Sequence, residues 1–307
     1  MALVTKTLKD AGFDGVFTEV EHTESLGLRN PHELRMFHLD ISSCAFSFRA
    51  MHDFLLSNIG RYVFSRAKME QFRVEDNMEA VGAKAIHLLK QAGNMDEDWI
   101  GEELGDILLY VFLEQILCAP KLFSKIELLS YGGTVDRGGI HLLSLGEDDT
   151  IPTYQLVFGN SSVVGDLRDA IDSAFASLIA VRDNTARELQ LVENTAFTQM
   201  YDLETAEKLK DIIIPRPGRK IAEVDRAFGV FLGYSLGLDA EKYSNAEFRA
   251  EATRKMQTDV KAHASYIAQK IREANMGMHS FYFYILPFND ADNEKESVMT
   301  VLLDGEA

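Results

Sequence analysis

Cysteine is nearly absent from this chain, with Cys44 and Cys118 the only two in 307 residues. They stand far apart, which excludes a disulfide framework and a zinc-ligand spacing, and both are expected to be reduced core residues. No run of about 18 apolar residues exists, so a membrane-spanning helix is not expected. The start, Met1-Ala2-Leu3-Val4-Thr5-Lys6, lacks the charged-then-apolar order of a signal peptide, and a cytoplasmic location is the expectation. Positive charge is also scarce: 31 Lys and Arg against 48 Asp and Glu leave a net charge of −17. Such a surface repels phosphate backbones, which excludes sequence-independent binding of nucleic acid by the surface as a whole. The densest basic stretch, Arg216-Pro217-Gly218-Arg219-Lys220, reads as a solvated loop or, less simply, a local patch. Internal repeats, low-complexity tracts and long Pro/Ser linkers are missing, so any domain boundary is soft. Also missing are the Gly-x-Ser-x-Gly elbow, the P-loop, Gly-x-Gly-x-x-Gly, Cys-x-x-Cys and His-Glu-x-x-His.

What is present is an α/β pattern. Residues 1–95 read as an N-terminal helical and β part, with a strand at Met36 to Ile41 and helices over Ser47 to Arg73 and Met78 to Ala92, ended by Gly93-Asn94. Residues 96–307 form the remaining domain, with its core at 96–182. In that core Ile100, Leu104, Ile107, Leu108 and Val111 recur at helical spacing and define one buried face; Glu103 and Asp106 share a side at its border. Ile126 to Leu129, Gly139 to Leu145 and Tyr154 to Gly159 read as three adjacent strands. A helix follows, capped by Asp166, with Leu167, Ala170, Ile171, Ala174, Phe175, Leu178 and Ile179 on its stripe. Further on, Phe228 to Leu236 is a strand, Ser244 with Glu247 makes a capping box for a long helix, and Ser280 to Phe288 is a last strand.

An acid-bearing helix, three strands and a second helix, in that order, is the layout of the PD-(D/E)xK nucleases: a central mixed sheet flanked by helices, here with helical additions at both ends. Those enzymes need two or three carboxylates to hold Mg²⁺ and a lysine to steady the attacking water and the developing phosphorane charge.

Five pieces carry a resemblance, in order: Gly101-Glu102-Glu103-Leu104-Gly105-Asp106-Ile107-Leu108-Leu109-Tyr110, Ala119-Pro120-Lys121-Leu122-Phe123-Ser124-Lys125, Gly138-Gly139-Ile140-His141, Phe158-Gly159-Asn160-Ser161-Ser162 and Asp169-Ala170-Ile171. Over about a third of its length the chain resembles the C-terminal domain shared by the HamA family of Hachiman anti-phage systems and the AbpA anti-bacteriophage proteins. The resemblance implies a metal-binding Asp at Gly138, a metal-binding Glu at Asn160 and a catalytic Lys at Ser162, three positions where this sequence carries none of those groups. Glu103, Asp106 and His141 survive. Gly and Ser cannot replace a carboxylate or an ammonium, and Asn binds Mg²⁺ far more weakly than Glu. The expectation is a vestigial site and a catalytically inactive nuclease-like subunit, with no cofactor, that docks on and regulates a helicase resembling HamB and reaches DNA mainly through that partner. The alternative is an active Mg²⁺-dependent DNase effector of the same system, holding its metal on Glu103, Asp106 and an acid in a shifted register, for which Glu147, Asp148 and Asp149 are candidates. Each residue also has a plain structural reading: Glu103 and Asp106 as solvated helix acids, His141 as a satisfied core histidine, Asn160-Ser161-Ser162 as turn chemistry before the helix.

Overall fold

The computed structural model describes residues 3–93, 97–130, 138–148, 151–191, 201–213 and 222–305. The basic stretch Arg216 to Lys220, Asn94 and Asp149 lie outside them. The chain opens with β1 (Thr18–Glu19), β2 (His32–His38) and a small hairpin of β3 (Ile41–Ser42) and β4 (Ala45–Phe46). The helix expected over Ser47 to Arg73 is two helices, α1 (Arg49–Val63) and α2 (Arg66–Val74). Phe64 is extended, and the Ser65 side chain accepts from Lys68 N, so a new helix starts where a cap outcompetes continuation. After α3 (Val81–Gly93) comes α4 (Glu97–Gln115). Its one expected buried face is an underestimate, because every residue from Glu103 to Leu113 is buried. The run Ile107 to Leu113 is apolar all round, the signature of a helix covered on every side.

Next are β5 (Lys121–Phe123) and the short α5 (Lys125–Ser130). The strand expected at Ile126 to Leu129 therefore falls in a helix. Its start is a reciprocal cap, Ser124 Oγ accepting from Glu127 N and Glu127 Oε2 from Ser124 N, and this local chemistry overrides the β propensity of the residues. The hairpin β6 (Ile140–Asp148) and β7 (Ile151–Val163) follows, and β7 continues through Asn160, Ser161 and Ser162, so these are strand and not turn. Then come α6 (Leu167–Leu191), whose first turn is capped by Asp166, α7 (Leu203–Ile213), β8 (Glu223–Ser235), α8 (Asn245–Glu273) with the expected Ser244–Glu247 capping box, β9 (Ser280–Phe288) and α9 (Ala291–Asp304).

One mixed sheet gathers strands from the whole chain in the order β1-β2-β9-β8-β7-β6-β5, parallel from β2 through β7 and antiparallel at both ends. Helix α4 packs on one face against β7 and β8, backed by α1 and α9, and α6 packs on the other with α8 beside it. Aromatic rings fill both interfaces: Phe112 of α4 stacks on Tyr284 and Phe231, and Phe175 of α6 stacks on Phe283. Cys118, expected in the core, is exposed; it sits at φ 56° in the turn after α4, where it is pushed outward, and Cys44 is half-buried.

Buried charges lock the α4 face. Lys121 Nζ donates to the carbonyls of Arg61, Tyr62 and Phe64 at the end of α1 and pairs with Glu127 Oε2 at 3.0 Å. Glu114 accepts from Thr7 N, Thr7 Oγ1, Leu8 N and Lys121 N, which pins the N-terminal segment to the core.

Candidate functional site

Glycine at 105 is what brings α4 close to the sheet. A Cβ there would stand 2.7 Å from Ser161 Oγ and 2.8 Å from Ser161 Cβ, so a larger residue would push the helix off β7. The next residue, Asp106, then accepts a 2.6 Å hydrogen bond from Ser161 Oγ through its Oδ1. One turn earlier Glu103 is fully buried, and its Oε1 accepts a 2.5 Å bond from Tyr62 OH of α1. Its Oε2 has no hydrogen-bond partner. Facing both acids is Lys125, the first residue of α5, with Nζ 3.8 Å from Glu103 Oε2 and 3.9 Å from Asp106 Oδ2. The same ammonium lies 5.4 Å from the centre of the Trp99 ring. Burial pushes the Glu103 carboxyl up to about 7, an effect the Lys125 ammonium opposes and the Asp106 charge reinforces. Lys125 and Tyr62 are the two members of this cluster that the sequence reading did not single out. The signal for Lys125 was available in the Ser-x-x-Glu cap, which places it at a helix start two residues beyond β5; nothing local marks Tyr62.

The sheet divides the residues expected at the vestigial site. Val157, Gly159, Ser161 and Val163 face α4: Gly159 lies against Leu109, and Gly229, beside it on β8, lies against Leu113. By strand alternation Asn160 and Ser162 point to the other face, with Phe158, Phe228 and Phe281, under α6. There Asn160 is fully buried with neither amide atom hydrogen-bonded, and Ser162 Oγ is buried without a partner. Gly138 occupies a left-handed conformation, φ 60°, and a Cβ on it would lie 2.1 Å from the carbonyl oxygen of Gly159. His141 shares the α4 face with its cross-strand neighbour Val157. Its Nδ1 donates to the Ala119 carbonyl at 2.8 Å and its ring lies against Tyr110. Burial lowers its ionisation to about 4, so it is neutral at physiological pH. Glu103, Asp106 and Lys125 thus stand together, His141 is on the same face, and Asn160 and Ser162 are beyond the sheet.

A family model described as HamA matches residues 15–302, far beyond the third of the chain that carries the local resemblance. The chain belongs to the HamA family. Membership makes it an anti-phage defence-associated protein. No curated protein and no solved structure matches it. Among the described residues no helix of this HamA-family chain is long and apolar enough to cross a membrane.

The divalent ion implied by the nuclease layout can be tested against the donor set of this HamA-family chain. Mg²⁺ takes near-octahedral oxygen ligands at about 2.1 Å and keeps several waters. Here the described residues bring two carboxylates together, one held by Tyr62 and the other by Ser161, with an internal ammonium already against both. At an effective dielectric of 20, a dication about 4 Å from that ammonium would be repelled by roughly 8 kcal/mol, while two carboxylates at that distance would attract it by roughly 17, so Lys125 weakens such a site without forbidding it by itself. Among the described residues no group of three or more His, Cys, Asp or Glu side chains is placed to hold a metal. Among the described residues the donor set, two carboxylates already held by Tyr62, Ser161 and Lys125, falls short of a Mg²⁺ site.

The cluster makes a pH prediction. Glu103 ionises near 4.5 when unfolded and at about 7 when folded, so its contribution to stability is full below pH 4.5 and is lost as pH rises to 7. His141 works in the opposite sense: its folded ionisation lies near 4 against 6.5 unfolded, so its contribution is full above pH 6.5 and is lost as pH falls toward 4. Each is worth about 3 kcal/mol, and they oppose one another between these limits. Glu103→Gln is expected to remove one side of the balance and expose a steep loss of melting temperature on acidification. Thermal melts from pH 4 to 8 check this, and identical pH profiles for the variant and the wild type would refute it.

Proposed function

We propose that this chain is a subunit of a Hachiman-type defence system in which a nuclease-like core, no longer cutting DNA through a metal, docks on and regulates a helicase partner resembling HamB. The observation that carries this reading is the lack of charge on β7: Gly159 and Ser161, which face α4 and its acids, and Asn160 and Ser162, which the resemblance matches to a metal Glu and a catalytic Lys, are all neutral. Loss of the Lewis acid and the lysine together removes several kcal/mol of transition-state stabilisation, or several decades of rate. A net charge of −17 fits a subunit that leaves DNA contact to its partner. The test is co-expression with a helicase encoded beside it, followed by co-purification and a plasmid degradation assay with Mg²⁺ or Mn²⁺. A stable complex with intact plasmid is the expected result; a monomer that shreds plasmid when Mg²⁺ is added would sink the proposal.

A second reading, an active Mg²⁺-dependent DNase effector, is favoured by one observation: a lysine, Lys125, stands beside both α4 acids. This reading requires metal-dependent cutting that disappears in Glu103→Ala and in Lys125→Ala taken singly.

A further inference from the structure

Buried carboxylates need a counter-charge, and the geometry of α4 and α5 shows where this one comes from. Glu103 is fully buried and leaves Oε2 without any hydrogen bond, so its ionised form is costly unless a cation stands against it. What it faces is Lys125 Nζ at 3.8 Å, which stands 3.9 Å from Asp106 as well. Lys125 differs from the neighbouring buried lysine in what it does. Lys121 is saturated by three helix-end carbonyls and by Glu127, whereas the contacts of Lys125 among the described residues are the two carboxylates and the face of Trp99. Its ammonium therefore acts as a counter-ion to the acid pair, held by charge and by the ring face, with the carboxylates oriented from behind by Tyr62 and Ser161.

We infer that Lys125 is a built-in cation that occupies the acid pair of α4 in place of a divalent metal ion, so that the pair clasps α5 to α4 and is closed to metal while the lysine is present. The inference rests on the reading of the chain as an inactive nuclease-like subunit and adds the reason its surviving acids do not recruit an ion. It also sets a direction: removing the ammonium, without touching either carboxylate, should open the pair to a divalent ion.

The experiment is a Mn²⁺ titration of the full chain, followed by electron paramagnetic resonance and calorimetry, for wild type, Lys125→Met, Glu103→Gln and the double variant. Wild type is expected to take up no stoichiometric Mn²⁺ that Glu103→Gln abolishes. Lys125→Met is expected to gain a site at least tenfold tighter than any in wild type, and the double variant to lose it. Lys125→Gln serves if Lys125→Met does not fold. A folded lysine variant that gains nothing overturns the inference. So does Mn²⁺ bound by wild type through Glu103, and that comparison needs no lysine variant. The two readings fail separately: wild type that binds Mn²⁺ at Glu103 but leaves plasmid intact refutes only the built-in cation, whereas wild type that cuts plasmid through Glu103 refutes the inactive subunit as well.

Discussion

Placing on β7 the charged residues that the resemblance implies there, as Asn160→Glu with Ser162→Lys, is expected to lower the unfolding free energy by about 3–5 kcal/mol and to leave DNA uncut. Both side chains point to the α6 face, Asn160 beside Val230 and Phe283 and Ser162 beside Leu232 and Ile285, and Asn160 is already fully buried there. A carboxylate and an ammonium placed in that layer lose their hydration, and the Glu103 and Asp106 carboxylates on the other face cannot reach across the sheet to share a metal with them. Adding Gly138→Asp makes matters worse. Its Cβ would lie 2.1 Å from the Gly159 carbonyl oxygen, at a φ of 60° that L residues rarely adopt. Urea denaturation and a plasmid assay measure both halves of the expectation. A triple variant that is folded and cuts DNA with Mg²⁺ would show that β7 can present these residues to a working site.

Lys121→Met is the second substitution expected to have a large effect, again about 3–5 kcal/mol of lost stability. Methionine matches the length of lysine but supplies no donor. The carbonyls of Arg61, Tyr62 and Phe64 then lose the cation that caps α1, and Glu127 loses its 3.0 Å ion pair in a fully buried setting. Because α1 carries Tyr62, the change should also loosen the hydrogen bond to Glu103. Chemical denaturation of the two proteins under one buffer decides the point, and a difference below about 1 kcal/mol would mean that the buried charge contributes little net stability, as some buried ion pairs do.

Much of the architecture was legible locally. The capping box at Ser244 and Glu247, the stripe of α6 with its Asp166 cap, and the strands β6, β8 and β9 rest on interactions within a few residues, which sequence patterns report directly. The errors came where one local signal was set against another. Ile126 to Leu129 looks like a strand by composition, but the Ser124–Glu127 cap starts a helix. Asn160-Ser161-Ser162 looks like a turn by composition, but eleven registered pairs with β8 hold β7 extended through Val163. The helix α9 was not anticipated, although Asp290 caps it.

By itself the sequence determined the α/β class, the acidic charge, the neutral run Gly159-Asn160-Ser161-Ser162, and the acids Glu103 and Asp106 one turn apart on a helix. Only the tertiary structure decided that β7 turns Asn160 and Ser162 away from those acids, that Tyr62 from α1 and Lys125 from α5 complete the acid cluster, and that a strand of the first forty residues pairs with one beyond residue 280. The reason is one of range. Strand alternation and helix periodicity state which residues share a face, but which face meets which helix is settled by burying elements far apart in the chain against one another, and no local pattern carries that information.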